Sequence, residues 1–154
     1  MIHERVRCLT GWLLDNLVAI KYPNGKPLVK IYGPVTMEQR GGAVAMNFID
    51  PEGNVIDHRS IEENANRKEI SLRTGCFCNP GAGELALGIS SRELNSCFAR
   101  PDHEQRLTYD EFRLCIDGKA SGAVRISVGL VSSFVDVEAF LEFTRGMVRV
   151  KETV

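Results

Sequence analysis

Hydrophobic residues recur at steps of three and four along the first twenty positions of the chain. This spacing is typical of one face of an amphipathic α-helix, and it is followed by Val6, Leu9, Leu13, Leu17 and Ile20. The turn-forming residues Pro23, Asn24 and Gly25 come directly afterwards. Because proline and glycine interrupt helices, the pattern predicts a helix that ends before Pro23.

Four later segments have the pattern of β-strands. Residues 28–32 predict a short strand, and residues 43–49 and 54–56 flank the turn sequence Asp-Pro-Glu-Gly at 50–53, which predicts a β-hairpin. Residues 123–128 alternate β-branched side chains with small or charged ones, as strands do. The apolar strands are therefore expected to lie together in a sheet.

Helices are predicted in the remaining segments, most of them from capping sequences. A Ser or Thr followed three residues later by Glu or Asp marks a helix start, and this spacing occurs at Ser60 with Glu63, Thr108 with Glu111 and Ser133 with Asp136. The first of these helices is expected to run to about Arg67, and residues 69–72 then lead as a strand into a cysteine-containing loop. Residues 83–87 and 91–98 are also predicted to be helical. The periodicity gives a mixed α and β domain.

Length and charge narrow the class of protein. The 154 residues suit one domain covering 1–154, without an internal repeat or linker. The net charge of -1, with interspersed signs, argues against a nucleic-acid partner, which would require a clustered basic face. There is no apolar run long enough for a membrane span and no secretory signal pattern. The chain is expected to be cytoplasmic.

The five cysteines are an odd number at irregular spacing: Cys8, Cys76, Cys78, Cys97 and Cys115. In a chain without a secretory signal, this favours reduced thiols over a disulfide framework. The Cys-x-Cys spacing is tighter than that of structural zinc sites, and the three histidines form no paired ligand block. No metal is predicted, and zinc binding remains a minor alternative.

Two cysteines stand in a glycine-flanked loop, in the sequence Arg-Thr-Gly-Cys-Phe-Cys-Asn at 73–79. A thiol is reactive when it is exposed and partly ionised, and both Arg73 and a helix start after Pro80 would favour the thiolate. Cys76 and Cys78 are therefore candidate nucleophiles. The alternative is that they are small packing residues, which the loop sequence alone favours.

An arginine interrupts the last predicted strand. Arg125 lies between Val124 and Ile126, where a guanidinium is costly unless it meets a carboxylate or a ligand. From the residues alone, Asp117 or a glutamate within the fold is the favoured partner. Arg73 ends a strand and is the second candidate for contact with an anion, although such an arginine is often only solvated.

The loop Arg-Thr-Gly-Cys-Phe-Cys-Asn-Pro-Gly-Ala resembles the cysteine loop of molybdenum cofactor sulfurases, which are class V aminotransferase-like, PLP-dependent cysteine desulfurases. Three further stretches occur in the order that this family has them: residues 22–32, 116–118 and 122–129. The resemblance covers nearly the whole chain but only the small C-terminal domain of the family. It implies an α+β fold, with a small mixed or antiparallel sheet and helices packed on one face.

The resemblance also implies roles for individual residues. The family's persulfide-forming cysteine falls on Cys78, with Cys76 a second candidate for which a structural role is favoured. The strand arginine that binds the substrate carboxylate falls on Arg125, with Arg73 as a weaker candidate. The family often has a further cysteine where this chain has Gly83, so a relay through a third thiol is not expected. PLP would be held by a large domain that these residues do not include, so no cofactor is expected in this chain alone.

Three functions follow as hypotheses. The first is part of a cysteine desulfurase that is inactive alone and needs a PLP-binding large domain as its partner. The second is a standalone sulfur carrier in which Cys78 receives a persulfide from another protein. The third is a non-catalytic interaction module that self-associates through an apolar face. The sulfur acceptor is not indicated by the sequence.

Overall fold

The computed structural model describes residues 1–76, 79–99, 108–116 and 118–150. The chain divides into two compact units, of which the first comprises Met1–Thr74 with Val124–Val154 and the second comprises Gly75–Ala123. The helices and the four-stranded sheet confirm the α+β class. The assignment of residues 1–154 to one domain stays a prediction.

The first unit begins with the predicted amphipathic helix, α1 (Ile2–Ala19). Its apolar face is fully buried, because the spacing of its leucines brings them onto one side of the helix; these are Leu9, Leu13, Leu14 and Leu17. The turn at 23–25 ends this segment, and Gly25 adopts a left-handed conformation with φ of 80° that glycine tolerates best. The prediction of helix and turn is confirmed.

The sheet consists of β1 (Val29–Tyr32), β2 (Ala43–Phe48), β3 (Arg73–Gly75) and β4 (Ala123–Ser127). The strand order is β1-β2-β4-β3, and β2 pairs antiparallel with both β1 and β4. Alternate residues of β2 point into the core, where they meet α1, α2 (His58–Asn66) and α6 (Phe134–Val150). Residues of this core include Val44, Met46, Phe48, Ile61, Phe140 and Leu141.

The predicted hairpin of residues 43–49 and 54–56 is only partly right. The turn forms, since the Gly53 amide donates to the Asp50 carbonyl oxygen at 3.0 Å. The second strand is reduced to an isolated bridge between Ile49 and Val55. The reason is that β1 and β4 occupy both edges of β2, so residue 55 can pair only beyond the end of that strand.

The predicted helix start is wrong for one helix of the first unit, α2, and right for another, α6. Helix α2 begins at His58 with Asp57 as its cap, so the predicted start at Ser60 is wrong by about one turn. The Asp57 carboxylate accepts a hydrogen bond from the Arg59 amide at 2.9 Å, and Ile61 of this helix is buried in the core. Helix α6 is capped as predicted, because Ser133 and Asp136 hydrogen-bond each other reciprocally.

The second unit contains three short helices, α3 (Pro80–Leu87), α4 (Ser91–Phe98) and α5 (Tyr109–Cys115). Helices α4 and α5 each begin with a complete capping box, formed by Ser90 with Glu93 and by Thr108 with Glu111. These helices agree with the predicted ones. None of the described helices in either unit is long and apolar enough to cross a membrane.

Gly42 makes the closest backbone approach in the first unit, and its replacement by alanine is expected to destabilise the fold. The Val128 amide donates to the Gly42 carbonyl at 2.7 Å. A Cβ on Gly42 would overlap the Val128 carbonyl oxygen and lie 2.9 Å from Val6 Cγ1. The backbone would have to move to remove these overlaps. Gly42→Ala should therefore lower the free energy of unfolding by about 1–3 kcal/mol, as substitutions at overpacked sites do. Urea denaturation measures this change.

The neighbouring Gly41 supplies the matched control. A Cβ on Gly41 would meet no atom within 4 Å. Gly41→Ala should therefore change the free energy of unfolding by less than about 0.5 kcal/mol. Equal effects of the two substitutions would contradict the close approach at Gly42.

Candidate active site: the cysteine loop and the arginine strands

Arg125 lies in β4, on the face of the sheet that points away from the helical core. Its neighbours Val124 and Ile126 pack in or against the core, so the alternation of a strand turns Arg125 to the other face. The cross-strand partner of Arg125 is Ala45. Ala45 is a small residue, and Arg125 is half-buried.

The same face of the sheet is polar. Tyr32 is opposite Ala45 on the other side of β2, and Lys30 is opposite Asn47. The Lys30 ammonium lies 5.3 Å from the centre of the Tyr32 ring, within the range of a cation–π contact. Burial raises the pKa of the Tyr32 hydroxyl, so Tyr32 stays neutral. Arg125 is therefore part of a surface with two cationic side chains, Lys30 and Arg125, and a hydroxyl.

Arg73, the second candidate arginine, is exposed on β3, the strand next to β4. Its neighbour Thr74 donates to the Glu62 carboxylate of α2 at 2.8 Å, and this bond fixes β3 to the helix. The two candidate arginines are thus on adjacent strands of the first unit.

The cysteine loop belongs to the second unit. Cys76 is exposed and carries a free thiol, so it does not pack in a core. The Asn79 amide donates to the Cys76 carbonyl at 3.2 Å, and the Asn79 side chain accepts from the Ala82 amide at 3.3 Å. Asn79 is therefore the cap of α3. Phe77 and the principal candidate, Cys78, lie outside the described residues.

The prediction of reduced thiols is wrong for one pair of cysteines. Cys97 and Cys115 form a disulfide with an S–S distance of 2.13 Å. The two residues lie on α4 and α5 and are brought together by the packing of these helices, which their separation of 18 residues does not reveal. Among the described residues, no group of histidine, cysteine, aspartate and glutamate could hold a metal ion.

An ion pair within the second unit was not predicted from the sequence. The Lys119 ammonium donates to the Glu93 carboxylate at 2.5 Å and to the Gly88 carbonyl at 2.8 Å. The Lys119 hydrogen bond, together with those from Ser90, lowers the pKa of Glu93 to about 2. Glu93 thus remains ionised near neutral pH and joins the cap of α4 to the segment after α5. Neither residue was singled out from the sequence; the spacing of Ser90 and Glu93 is a capping signal that could have found Glu93, whereas no local signal points to Lys119.

The described residues do not by themselves form a PLP site. A lysine that forms a Schiff base with PLP is activated by desolvation in a pocket or by a neighbouring cation. Lys119 is held in its ion pair with Glu93, and the other described lysines are exposed: Lys21, Lys26, Lys30 and Lys68. No reaction step through PLP is derived for these residues.

Both the structure and the sequence of this chain are similar to those of known proteins. The structure is similar to the apo structure of a cysteine desulfurase from Thermococcus onnurineus NA1, with a TM-score of 0.58 and 17% sequence identity over 97% of this chain and 26% of that one. At this identity the likeness establishes the fold, which is that of part of a cysteine desulfurase. No family model matches the chain.

The sequence relatives are more specific. The chain is 39% identical over 145 residues to human molybdenum cofactor sulfurase and 37% identical over 147 residues to that of Drosophila ananassae. These matches cover 92% and 94% of this chain but 16% and 18% of the relatives, so the chain spans about a sixth of their length. The chain is therefore related, over nearly all its residues, to one segment of molybdenum cofactor sulfurases, and the resemblance noted from the sequence is confirmed.

Proposed function

We propose that this chain is the small domain of a cysteine desulfurase of the molybdenum cofactor sulfurase type, active only together with a PLP-binding large domain. The observation that carries the proposal is the similarity to molybdenum cofactor sulfurases, which covers 92% of this chain and 16% of the human relative. The remaining length of the relative leaves ample room for a large domain.

In this proposal Cys78 accepts the sulfur. Its thiolate attacks the sulfur atom of L-cysteine, a sulfur–sulfur bond forms, the carbon–sulfur bond of the substrate breaks, a proton takes the place of sulfur on the β-carbon, and alanine is the product. The electron sink for breaking that bond would be supplied by PLP held on the large domain. Cys78 directly precedes Asn79, the cap of α3, and the partial positive charge of a helix N-terminus favours a thiolate. The persulfide can then pass to an acceptor.

Arg125 binds the carboxylate of L-cysteine in this proposal. The guanidinium is a planar fork that matches a carboxylate with two hydrogen bonds. Its location on the polar face of the sheet, away from the helical core, supports contact with a ligand from outside the first unit. Arg73 on the adjacent strand would add positive charge for the same substrate.

An exposed apolar surface of the first unit supports docking of a large domain. Trp12 of α1 and Phe134 of α6 meet edge to face with ring centres 6.0 Å apart, yet 44% and 53% of their surfaces remain exposed. Leu130 and Val131, in the segment before α6, are exposed as well. Apolar clusters of this kind mark interaction surfaces. The rest of a longer desulfurase is the occupant that we propose.

The test is to assay alanine formation from L-cysteine by the chain alone, by a PLP-binding large domain of a molybdenum cofactor sulfurase alone, and by the two joined in one polypeptide. Activity is expected only in the joined protein, with the PLP absorbance present. If the chain instead takes up a persulfide from an unrelated desulfurase while the joined protein forms no alanine, the sulfur-carrier hypothesis replaces this one. If neither occurs, the chain is a non-catalytic interaction module.

A further inference from the structure

A groove of the first unit lies between α2 and α6, and its volume is about 780 Å³. One wall is a face of α6, and the other is the end of α2 with the turn that follows it. The floor is apolar and is formed by Tyr22, Ile56, Ile70, Phe143 and Met147. Small-molecule sites usually have volumes of roughly 300–1,000 Å³ and mostly apolar linings. The groove fits that description.

Gly146 has no side chain, so the groove extends to the backbone of α6 at this position. It lies inside this 17-residue helix, where glycine is less favourable than alanine. A Cβ on Gly146 would meet no atom within 4 Å, so no packing contact within the described residues requires glycine there. The missing side chain leaves space beside the helix that an occupant of the groove can fill.

The wall after α2 is held by its own hydrogen bonds. The Ile70 amide donates to the Ala65 carbonyl at 3.0 Å, and the Glu69 amide donates to the Asn66 carbonyl at 3.0 Å. With Glu69 at φ of 59°, this pattern is a Schellman motif, which ends the helix and turns an apolar residue, here Ile70, back toward it. The wall is therefore preformed.

The same wall carries positive charge. Arg67 and Lys68 are consecutive, exposed and both line the groove. The wall formed by α6 contributes one carboxylate, Glu142. The Arg67 guanidinium contacts the Asn64 side-chain oxygen at 3.4 Å, which leaves further donors of its five N–H groups for a ligand. The charged rim favours an occupant with a single negative charge, because Glu142 would repel a second one.

We propose that this groove binds a small amphipathic monoanion, an alkyl or aryl carboxylate, with the apolar body on Ile56, Ile70 and Met147 and the carboxylate at Arg67 and Lys68. The proposal does not depend on the proposed function. The groove and the polar sheet face with Arg125 are separate sites of the first unit.

Titration of the 154-residue chain with decanoate tests the proposal, with decanol as the uncharged probe. Methyl NMR signals of Ile56, Ile70 and Met147 should shift and saturate with decanoate, and decanol should bind at least tenfold more weakly. Lys68→Glu should weaken decanoate binding at least tenfold, because the reversed charge repels the carboxylate. Arg7→Glu, at an exposed arginine of α1 outside the groove, is the matched control and should leave it unchanged.

The second part of the experiment fills the groove with a larger side chain. Gly146→Leu should block decanoate binding. Gly83→Leu is the matched control, because Gly83 is also helical with no atom within 4 Å of a built Cβ but does not line the groove. Absence of saturable shifts, equal binding of decanol, or unchanged binding in Lys68→Glu would each overturn the proposal. So would shifts that depend only on protein concentration, since these would indicate a second copy of the chain as the occupant.

Discussion

Cys78→Ser is expected to abolish persulfide formation in the proposed desulfurase, in which the chain is joined to a PLP-binding large domain. A serine oxygen cannot form the sulfur–sulfur bond, so the product-forming attack has no acceptor. The substitution is nearly isosteric and falls in the sequence between the end of β3 and the start of α3, so the fold should be unaffected. The measurement is the mass of the cysteine-loop peptide after incubation with L-cysteine, where a persulfide adds one sulfur atom.

The other free cysteines discriminate between a specific and a general thiol effect. Cys8→Ser, at an exposed free thiol of α1, is the control and should retain full loading. Cys76→Ser should also retain it if Cys76 is not the sulfur acceptor. Loading that survives in Cys78→Ser and disappears in Cys76→Ser would transfer the role of nucleophile to Cys76, which is the free and exposed thiol of the described part of the loop.

Arg125→Ala is expected to reduce kcat/KM for L-cysteine by at least about 100-fold in the same joined protein. Two hydrogen bonds to a charged carboxylate contribute about 1.5–3 kcal/mol each, and about 3 kcal/mol corresponds to two powers of ten. Arg125→Lys should recover only part of the loss, because an ammonium cannot replace the fork of the guanidinium. Arg7→Ala, at an exposed arginine of α1, is the control and should retain full activity.

Thermal unfolding of the same variants separates the two interpretations of Arg125. If it binds substrate, Arg125→Ala should unfold at nearly the temperature of the parent chain. A large drop in melting temperature, with kcat/KM retained at a temperature where the variant is folded, would instead indicate a structural ion pair. Asp117, the partner proposed from the sequence, lies outside the described residues.

The helices could be predicted from the sequence because their signals are local. The spacing of Leu9, Leu13 and Leu17 gave α1, and the predicted caps at Thr108 and Ser133 are present in the structure. The start of α2 was wrong because Ser60 and Asp57 are both good caps. In the structure Asp57 is the cap, and its carboxylate accepts a hydrogen bond from the Arg59 amide.

The sheet was less accessible to sequence reasoning. Residues 43–48 form a strand as predicted, but their strand partners are β1, which precedes them, and β4, which is distant in sequence. Residues 54–56 pair only at the end of β2, where the Ile56 amide donates to the Phe48 carbonyl and Val55 bridges to Ile49. For the candidate site, too, the sequence named the residues but not what they do. The motif identified Arg73, Cys76, Cys78 and Arg125 as candidates, and the roles of all four stay predictions.

The sequence by itself determined the local elements of this protein and its relationship to molybdenum cofactor sulfurases, because periodicity, caps and short motifs are encoded in neighbouring residues. Only the tertiary structure decided that Arg125 faces away from the core, that Cys97 pairs with Cys115, and that Gly146 opens a groove beside Lys68. Each of these depends on side chains that are far apart along the chain and meet only when the hydrophobic faces of strands and helices pack together.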